Sequence, residues 1–501
     1  MLDRRTTRLR MKLKRTNASV LGICALLVMA FLTSGCATNP ATGKSQIMLI
    51  SEQQEIAIGR EEDEKVSKSI GLYDDAELQD YVSRIGMRLA RTSERPDLPW
   101  SFKVVDDPVV NAFALPGGYI YITRGILAQL GSEAQLATVL GHEIGHVTAR
   151  HSANQISKAQ LASIGVGVGA AVATGAGLPV GGDLMQAGTG LLFLKFSRDD
   201  ERQADELGLR YGQRNGYDMR EASEVHRTLE RTSQLSQEDG RVPGWLSTHP
   251  QSENRIERIE AELSRMDHDF DGATVERRGF LRQVDGIVWG PNPREGYFEG
   301  DTFYHPDLAF QMDFPDGWKG ANQRDSVGAI SKSEDAVVVL RLSKHTDLRT
   351  AAREFVRETE VSSTQPSNGQ FNGLPATWLG FEGVVGQASI TGRAAWVSHG
   401  GQTFELLGYS LSDRWDRYQG TVDRSLQSFS RLTNKKVLQI QPARVEVIEL
   451  PGAMTLREFQ QAYPSSISLQ RLAVLNQVSE NARFERGDLV KRVLGGPPKS
   501  R

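Results

Sequence analysis

Residues 142–146 read His142-Glu143-Ile144-Gly145-His146, and no other run in this chain of 501 residues restricts the fold as tightly. Side chains four apart on an α-helix lie one above the other, so two imidazoles at this spacing can meet one ion only if the segment is helical. Glu143 then projects beside them. Two neutral imidazoles suit Zn²⁺, and a neighbouring carboxylate suits a general base for water whose acidity the ion raises. A catalytic zinc also needs a third protein ligand and an open position. Glu201, with Asp205 one helical turn later, can supply a ligand and a hydrogen bond to the far nitrogen of a liganding histidine. Taken alone, with Asp199, Asp200 and Glu206 nearby, those carboxylates fit a solvated helix face better.

Hydrophobic residues make up 39% and charged residues 24% of the chain, proportions of a soluble globular protein rather than a disordered or polytopic one. Arg4, Arg5, Arg8, Arg10, Lys12, Lys14 and Arg15 stand against Asp3 alone in residues 1–35. Taking that +6 from the net charge of −3 leaves about −9 for the rest, which gives no support to nucleic acid as a partner. The apolar run Ala18 to Leu32 after this basic stretch reads as a secretory signal. Its 15 residues are marginal for crossing roughly 30 Å of hydrocarbon as an uncleaved anchor helix. Leu32-Thr33-Ser34-Gly35-Cys36 resembles a bacterial lipobox, although Thr33 departs from the usual bulky aliphatic residue. The resemblance implies a lipidated Cys36 and an outer-membrane address, since Ala37 is not Asp. Cys24 and Cys36 are the only cysteines, so a mature chain has no thiol for a disulfide.

The expected organisation is α+β throughout. Residues 1–35 are a signal peptide and 36–48 a tether. Residues 49–285 form a mainly helical domain with a small sheet. Within it, Val104-Val105 and Gly118-Tyr119-Ile120-Tyr121-Ile122 read as strands, and a long helix starts at Ser132, where Gln135 completes a capping box. Further helices are expected over about 185–214, 220–235 and 254–266. The charge-free, glycine-rich stretch 161–181 reads as a buried or lid-like segment rather than a membrane span. Residues 296–432 show β-branched and aromatic alternation with helices at 350–360 and 416–429, an α+β accessory domain. Residues 438–498 read strand, helix, helix, strand. No repeat of 20–50 residues is present.

The segments Asn111 to Gly118, His142 to His151, Ser197 to Asp205, and Ser247-Thr248-His249-Pro250 with Arg255 together resemble gluzincin metallopeptidases of the HtpX and CAAX-prenyl-protease type, in particular the BepA-like envelope lipoproteins. The resemblance covers roughly residues 45–270. It implies that His142, His146 and Glu201 bind one zinc ion, that Glu143 is the general base and acid, and that Asp205 lies behind the ligands. It also implies that Gly118 to Ile122 is an edge strand for extended substrates. His249 is implied either as a latch on the open metal position or as an ordinary loop histidine. Arg255 is either an oxyanion stabiliser or an ion-pair partner of its helix. His151 reads as structural, and His226, His268, His305, His345 and His399 lack a ligand-spaced partner. Asp267 to Gly272 imitates a calcium loop, but Arg278 stands where a carboxylate is needed.

Pro306 to Phe310 and Phe314 to Trp318 resemble the opening of PsbP-like domains, and the last module a degenerate LysM. Peptidoglycan contact and simple packing both stay open for that module. The expectation is a lipid-anchored zinc endopeptidase on the periplasmic side of the outer membrane, acting on unfolded or misfolded envelope proteins. A scaffold or chaperone that keeps a peptidase fold and a zinc hydrolase of non-peptide envelope material are the alternatives.

Overall fold

The computed structural model describes residues 36–165, 196–238, 244–245, 249, 254–266, 270–386 and 388–496. Helix and sheet are mixed throughout, as expected. The signal peptide at 1–35 and most of the stretch at 161–181 lie outside the described residues. Among the described residues no helix is long and apolar enough to cross a membrane.

The first unit contains β1 (Cys36–Thr38), β2 (Ser45–Ile47), α1 (Glu52–Ser69), α2 (Ala76–Ala90), β3 (Ser101–Val105), β4 (Ala112–Leu115) and β5 (Tyr119–Thr123). Then follow α3 (Arg124–Gln129), α4 (Glu133–Thr148), α5 (His151–Gly165), α6 (Arg198–Arg214), α7 (Glu221–Glu238), α8 (Arg255–Arg265) and α9 (Arg277–Gln283). The helix predicted from Ser132 is α4, and the Ser132 hydroxyl accepts from the Gln135 amide as a cap. The other half of the expected box is displaced by one residue: Gln135 Oε1 accepts from Gly131 N at 2.6 Å.

Every residue of α4 from Ala134 to Thr148 is buried, and a helix covered all round needs partners on each side. Its closest partner is α6. A Cβ added to Gly141 would stand 3.0 Å from Gly208 O, and one added to Gly208 would stand 2.8 Å from His142 N. Glycine at these positions lets the two helix backbones touch, and that closeness carries α6 side chains within reach of α4 histidines.

The small sheet runs β3-β5-β4, with β5 parallel to β3 and antiparallel to β4. Gly118, Tyr119, Ile120, Tyr121 and Ile122 therefore do not form an edge strand, contrary to expectation. Their strand is hydrogen-bonded on both sides and buried on both faces, which is why its apolar run is continuous. The outer strand on one side is β4. Gly117 (φ 80°) and Gly118 (φ 104°) make the turn between β4 and β5 in a region closed to most side chains.

The predicted tether is folded. β1 and β2 pair antiparallel, Leu49 N donates to Ser157 Oγ at 3.0 Å, and Asn39 Nδ2 donates to Ala149 O at the end of α4 at 3.2 Å. A buried ionic cluster ties α1 to the same place. Arg95 Nη1 and Nη2 donate to Glu55 at 2.9 and 3.1 Å, Arg150 Nε donates to Glu55 at 2.8 Å, and Arg95 Nη1 also reaches Val147 O at 2.9 Å.

Within residues 296–432, strands between Lys319 and Leu411 form an eight-stranded antiparallel sheet, and Tyr297–Glu299, Thr302–His305, Phe310–Asp313 and Ser430–Arg431 form a separate four-stranded one. The two faces of the larger sheet are covered by Leu348–Thr359, through Phe355 against Trp396, and by Trp415–Gln427, through Val422 and Leu426. In the last module Ala443–Glu449 pairs with Leu489–Leu494, with the helices Leu456–Ala462 and Leu469–Leu475 between them, the order expected. This module is joined to the first unit rather than pendant. Lys491 is fully buried, and its Nζ donates to Ala128 O at 2.9 Å, Gln129 O at 3.4 Å and Leu130 O at 2.8 Å, the carbonyls at the end of α3. Gln477 Oε1 accepts from Gln135 Nε2 at 2.8 Å, and Val445 sits in the first unit's core with Ile287, past the expected boundary at 285.

Candidate metal centre

His142 and His146 face α6 from adjacent turns of α4, with their Nε2 atoms 3.0 Å apart. Glu201, on the first turn of α6, brings Oε1 to 3.4 Å from His146 Nε2. The start of α6 is set by Ser197, whose hydroxyl caps the Asp200 amide while Asp200 bonds back to Ser197 N. His249 completes the group, its Nδ1 lying 3.3 Å from His142 Nε2 and 3.0 Å from Glu201 Oε1. One donor atom from each of these four buried residues lies within 4.8 Å of the others. Four ligands about 2.0–2.1 Å from a tetrahedral centre stand roughly 3.3 Å apart, so the spacings match a zinc site.

The atoms left without hydrogen bonds point the same way. Among the described residues, both carboxylate oxygens of Glu143, Glu201 Oε2 and His249 Nε2 are buried without a hydrogen-bond partner, and His249 Nε2 stands 3.5 Å from Glu143 Oε1. Unsatisfied buried groups cost about 1–3 kcal/mol each, more when charged. Three nitrogens and a carboxylate are also a donor set suited to Zn²⁺.

Groups behind the ligands set their orientation. Asp205 Oδ1 lies 2.9 Å from His142 Nδ1, and a carboxylate can only accept, so His142 carries its proton there and Nε2 is free. Arg255 holds Asp205 with Nε at 2.9 Å and Nη2 at 2.6 Å. Its Nη1 stands 3.0 Å from Glu201 Oε2, an ion pair not aligned as a hydrogen bond. Arg255 is thus a neighbour of two acidic site residues on α6, not of its own helix.

Electrostatics sort the roles. Burial pushes the Glu143 carboxyl up, against the pull of His249 and His142, the direction that strengthens a carboxylate as a proton acceptor. Burial drives His146 well below its ordinary value, the neutral state that can ligate. Burial alone would raise Glu201 and Asp205. For Glu201, His249 and His146 outweigh burial and hold the carboxyl well below the usual range. For Asp205, Arg255 and His142 do so.

Three contacts were not legible beforehand. His151 Nδ1 lies 2.9 Å from His146 Nδ1, brought back by the left-handed Arg150 (φ 61°) between α4 and α5. Phe196 stacks on His146 with centroids 3.9 Å apart, and Trp245 stacks on His249 at 4.2 Å. His226 is buried behind His142 and Asp205 and is held neutral by burial and Arg255, its pKa lowered to about 3. His305 and His399 lie in the second unit, away from the centre. Cys36 begins β1.

Two histidines four apart on α4, a carboxylate from α6 packed against it and a glutamate next to the first histidine define a metallopeptidase-type centre. Residues 76–263 match peptidase family M48, and this part of the chain is an M48 domain. The mitochondrial metalloendopeptidase OMA1 of Schizosaccharomyces pombe is 38% identical over 185 residues, 36% of this chain and 52% of the relative. The beta-barrel assembly-enhancing protease of Escherichia coli K12 is 30% identical over 227 residues, 44% of this chain and 46% of the relative. The chain spans about half the length of the curated relatives it matches. A cyanobacterial PsbP from Synechocystis aligns with 26% of this chain and 91% of its own, at 13% identity and a TM-score of 0.21.

Proposed function

We propose that this chain is a zinc-dependent endopeptidase of the bacterial envelope that hydrolyses peptide bonds of misfolded or unassembled periplasmic and outer-membrane proteins. The observation that carries the reading is the convergence of His142 Nε2, His146 Nε2 and Glu201 Oε1 beside a buried Glu143 whose two oxygens have no hydrogen-bond partner among the described residues. When bound, zinc polarises the scissile carbonyl and acidifies water. Glu143 takes the water's proton and returns it to the leaving amine. His142 and Asp205 together keep the first imidazole in its ligating tautomer, and Arg255 fixes Asp205.

Extended substrate pairs with β4, the outer strand, rather than with β5. Trp245 N donates to Val110 O at 2.9 Å, two residues before that strand, so Trp245, which stacks on His249, stands at the approach. His249 in the fourth ligand position closes the centre, because a catalytic zinc keeps one position open. The resting form is therefore latent, and substrate displaces His249. Cys36 carries the lipid that holds the enzyme to the periplasmic side of the outer membrane. The last module braces α3 and α4 through Lys491 and Gln477.

The test is zinc content and cleavage of casein and of unfolded outer-membrane protein by the purified chain. Glu143→Gln is expected to retain zinc and lose cleavage by about 10²-fold or more, and His249→Ala to raise cleavage. Absence of stoichiometric zinc, or full activity in Glu143→Gln, overturns the reading.

A further inference from the structure

We infer that Asn39, outside the ligand set, determines which nitrogen of His146 is free to bind metal; this rests on the reading of His146 as a zinc ligand. Asn39 is 5% exposed and its amide has only one workable orientation. Its Oδ1 accepts from Ala41 N at 2.9 Å and Thr42 N at 3.2 Å, both backbone donors that cannot be reversed. Nδ2 therefore faces the other way, its two hydrogens shared among Ala149 O at 3.2 Å, Gln203 Oε1 at 3.3 Å and Gln46 Oε1 at 3.4 Å.

That contact assigns the Gln203 amide in turn. Its oxygen lies toward Asn39 and, at 2.8 Å, toward His151 Nε2. An amide oxygen only accepts, so His151 carries its proton on Nε2. The Asp200 carboxylate, 3.6 Å from the same nitrogen, favours that placement as well. An imidazole with one N–H that donates from Nε2 accepts at Nδ1. His151 Nδ1 is then an acceptor, 2.9 Å from His146 Nδ1. His146 must donate from Nδ1, which leaves its Nε2 lone pair among the other donor atoms, 3.0 Å from His142 Nε2.

The polarity runs one way only while Gln203 keeps its orientation. With that amide turned over, its NH₂ would donate to His151 Nε2, His151 would donate from Nδ1, and His146 would carry its proton on Nε2, where no metal can bind. Asn39 is a positioning residue acting through Gln203 and His151.

The experiment measures zinc affinity of the full chain by competition with a chromophoric chelator. Asn39→Ala is expected to weaken zinc binding up to roughly tenfold, the low end of the range seen when a ligand's own hydrogen-bond partner is removed, because Asn39 acts through Gln203 and His151. Asn39→Asp keeps the acceptor for Ala41 and Thr42 but turns an oxygen toward Gln203, and is expected to weaken binding similarly. In Gln203→Glu the side chain accepts from His151 in either orientation, so affinity stays near that of the unchanged chain. Combining Gln203→Glu with Asn39→Ala restores it, a rescue that a merely structural Asn39 would not give. Affinity within twofold of the unchanged chain in both Asn39 variants, or a loss that persists with Gln203→Glu, overturns the inference. An unchanged chain that takes up no zinc overturns the zinc reading instead.

Discussion

Glu55 is the most exacting single test of how the first unit is held together. Its side chain is 1% exposed and accepts three hydrogen bonds from two guanidinium groups, Arg95 at 5% and Arg150 at 10% exposure. Glu55→Gln preserves size but leaves two buried cations without their counter-charge and turns an NH₂ toward one of them. Breaking a buried pair from one side costs about 3–5 kcal/mol. Arg95 keeps Glu52 at 3.0 Å and Val147 O at 2.9 Å, so the lower end, about 3 kcal/mol, is expected. At roughly 2–4 °C per kcal/mol for a unit of this size, the melting temperature should fall by about 6–12 °C. The assay is thermal unfolding of the metal-free full chain at pH 7 by calorimetry, reading the transition of the first unit. A fall of less than about 2 °C would show that water or relaxation replaces the carboxylate, and would refute the argument. Because Arg95 also holds Val147 O in the last turn of α4, the same variant should bind zinc less tightly.

Asp205→Asn should weaken zinc binding by about 10–100-fold in chelator competition, and unchanged affinity would mean that His142 is oriented by other groups. His226 has a folded pKa of about 3 against an ordinary 6.5, so the unfolded chain takes up the proton first as pH falls. Its contribution is intact above about 6.5 and is lost on acidification towards 3. Between pH 7 and 5 the loss is about 2 kcal/mol, and denaturant unfolding should show that much less acid sensitivity in His226→Leu. Gly208→Ala puts a methyl group 2.8 Å from His142 N, a backbone atom that cannot yield without moving α4. A destabilisation of about 1–3 kcal/mol with weakened zinc binding is expected, and unfolding indistinguishable from the unchanged chain would refute the close-packing argument.

The four-residue spacing of His142 and His146 could be used only by a helix, and Ser132 marked where it starts, so α4 was legible in the sequence. The strand-helix-helix-strand order at 443–494 was legible for a similar reason: periods of 3.6 and 2 are consequences of local backbone geometry. Partners chosen across the fold were not. Tyr119 to Ile122 reads the same whether the strand is outermost or central, and only the return of β3 on its far side made it central. Glu55 meets Arg95 and Arg150 from 40 and 95 residues away, Asn39 meets Gln203 from 164, and Lys491 meets Ala128 from 363, none with a local pattern to announce it. A polar residue in a turn carries no record of what will later pack over it. The sequence by itself determined the helix that carries His142, Glu143 and His146 and the donor atoms available on it. Which strand is central in the small sheet, and that His249 comes to lie beside His142, His146 and Glu201, were decided by tertiary packing, because burial forces each polar group to find a partner wherever the fold brings one.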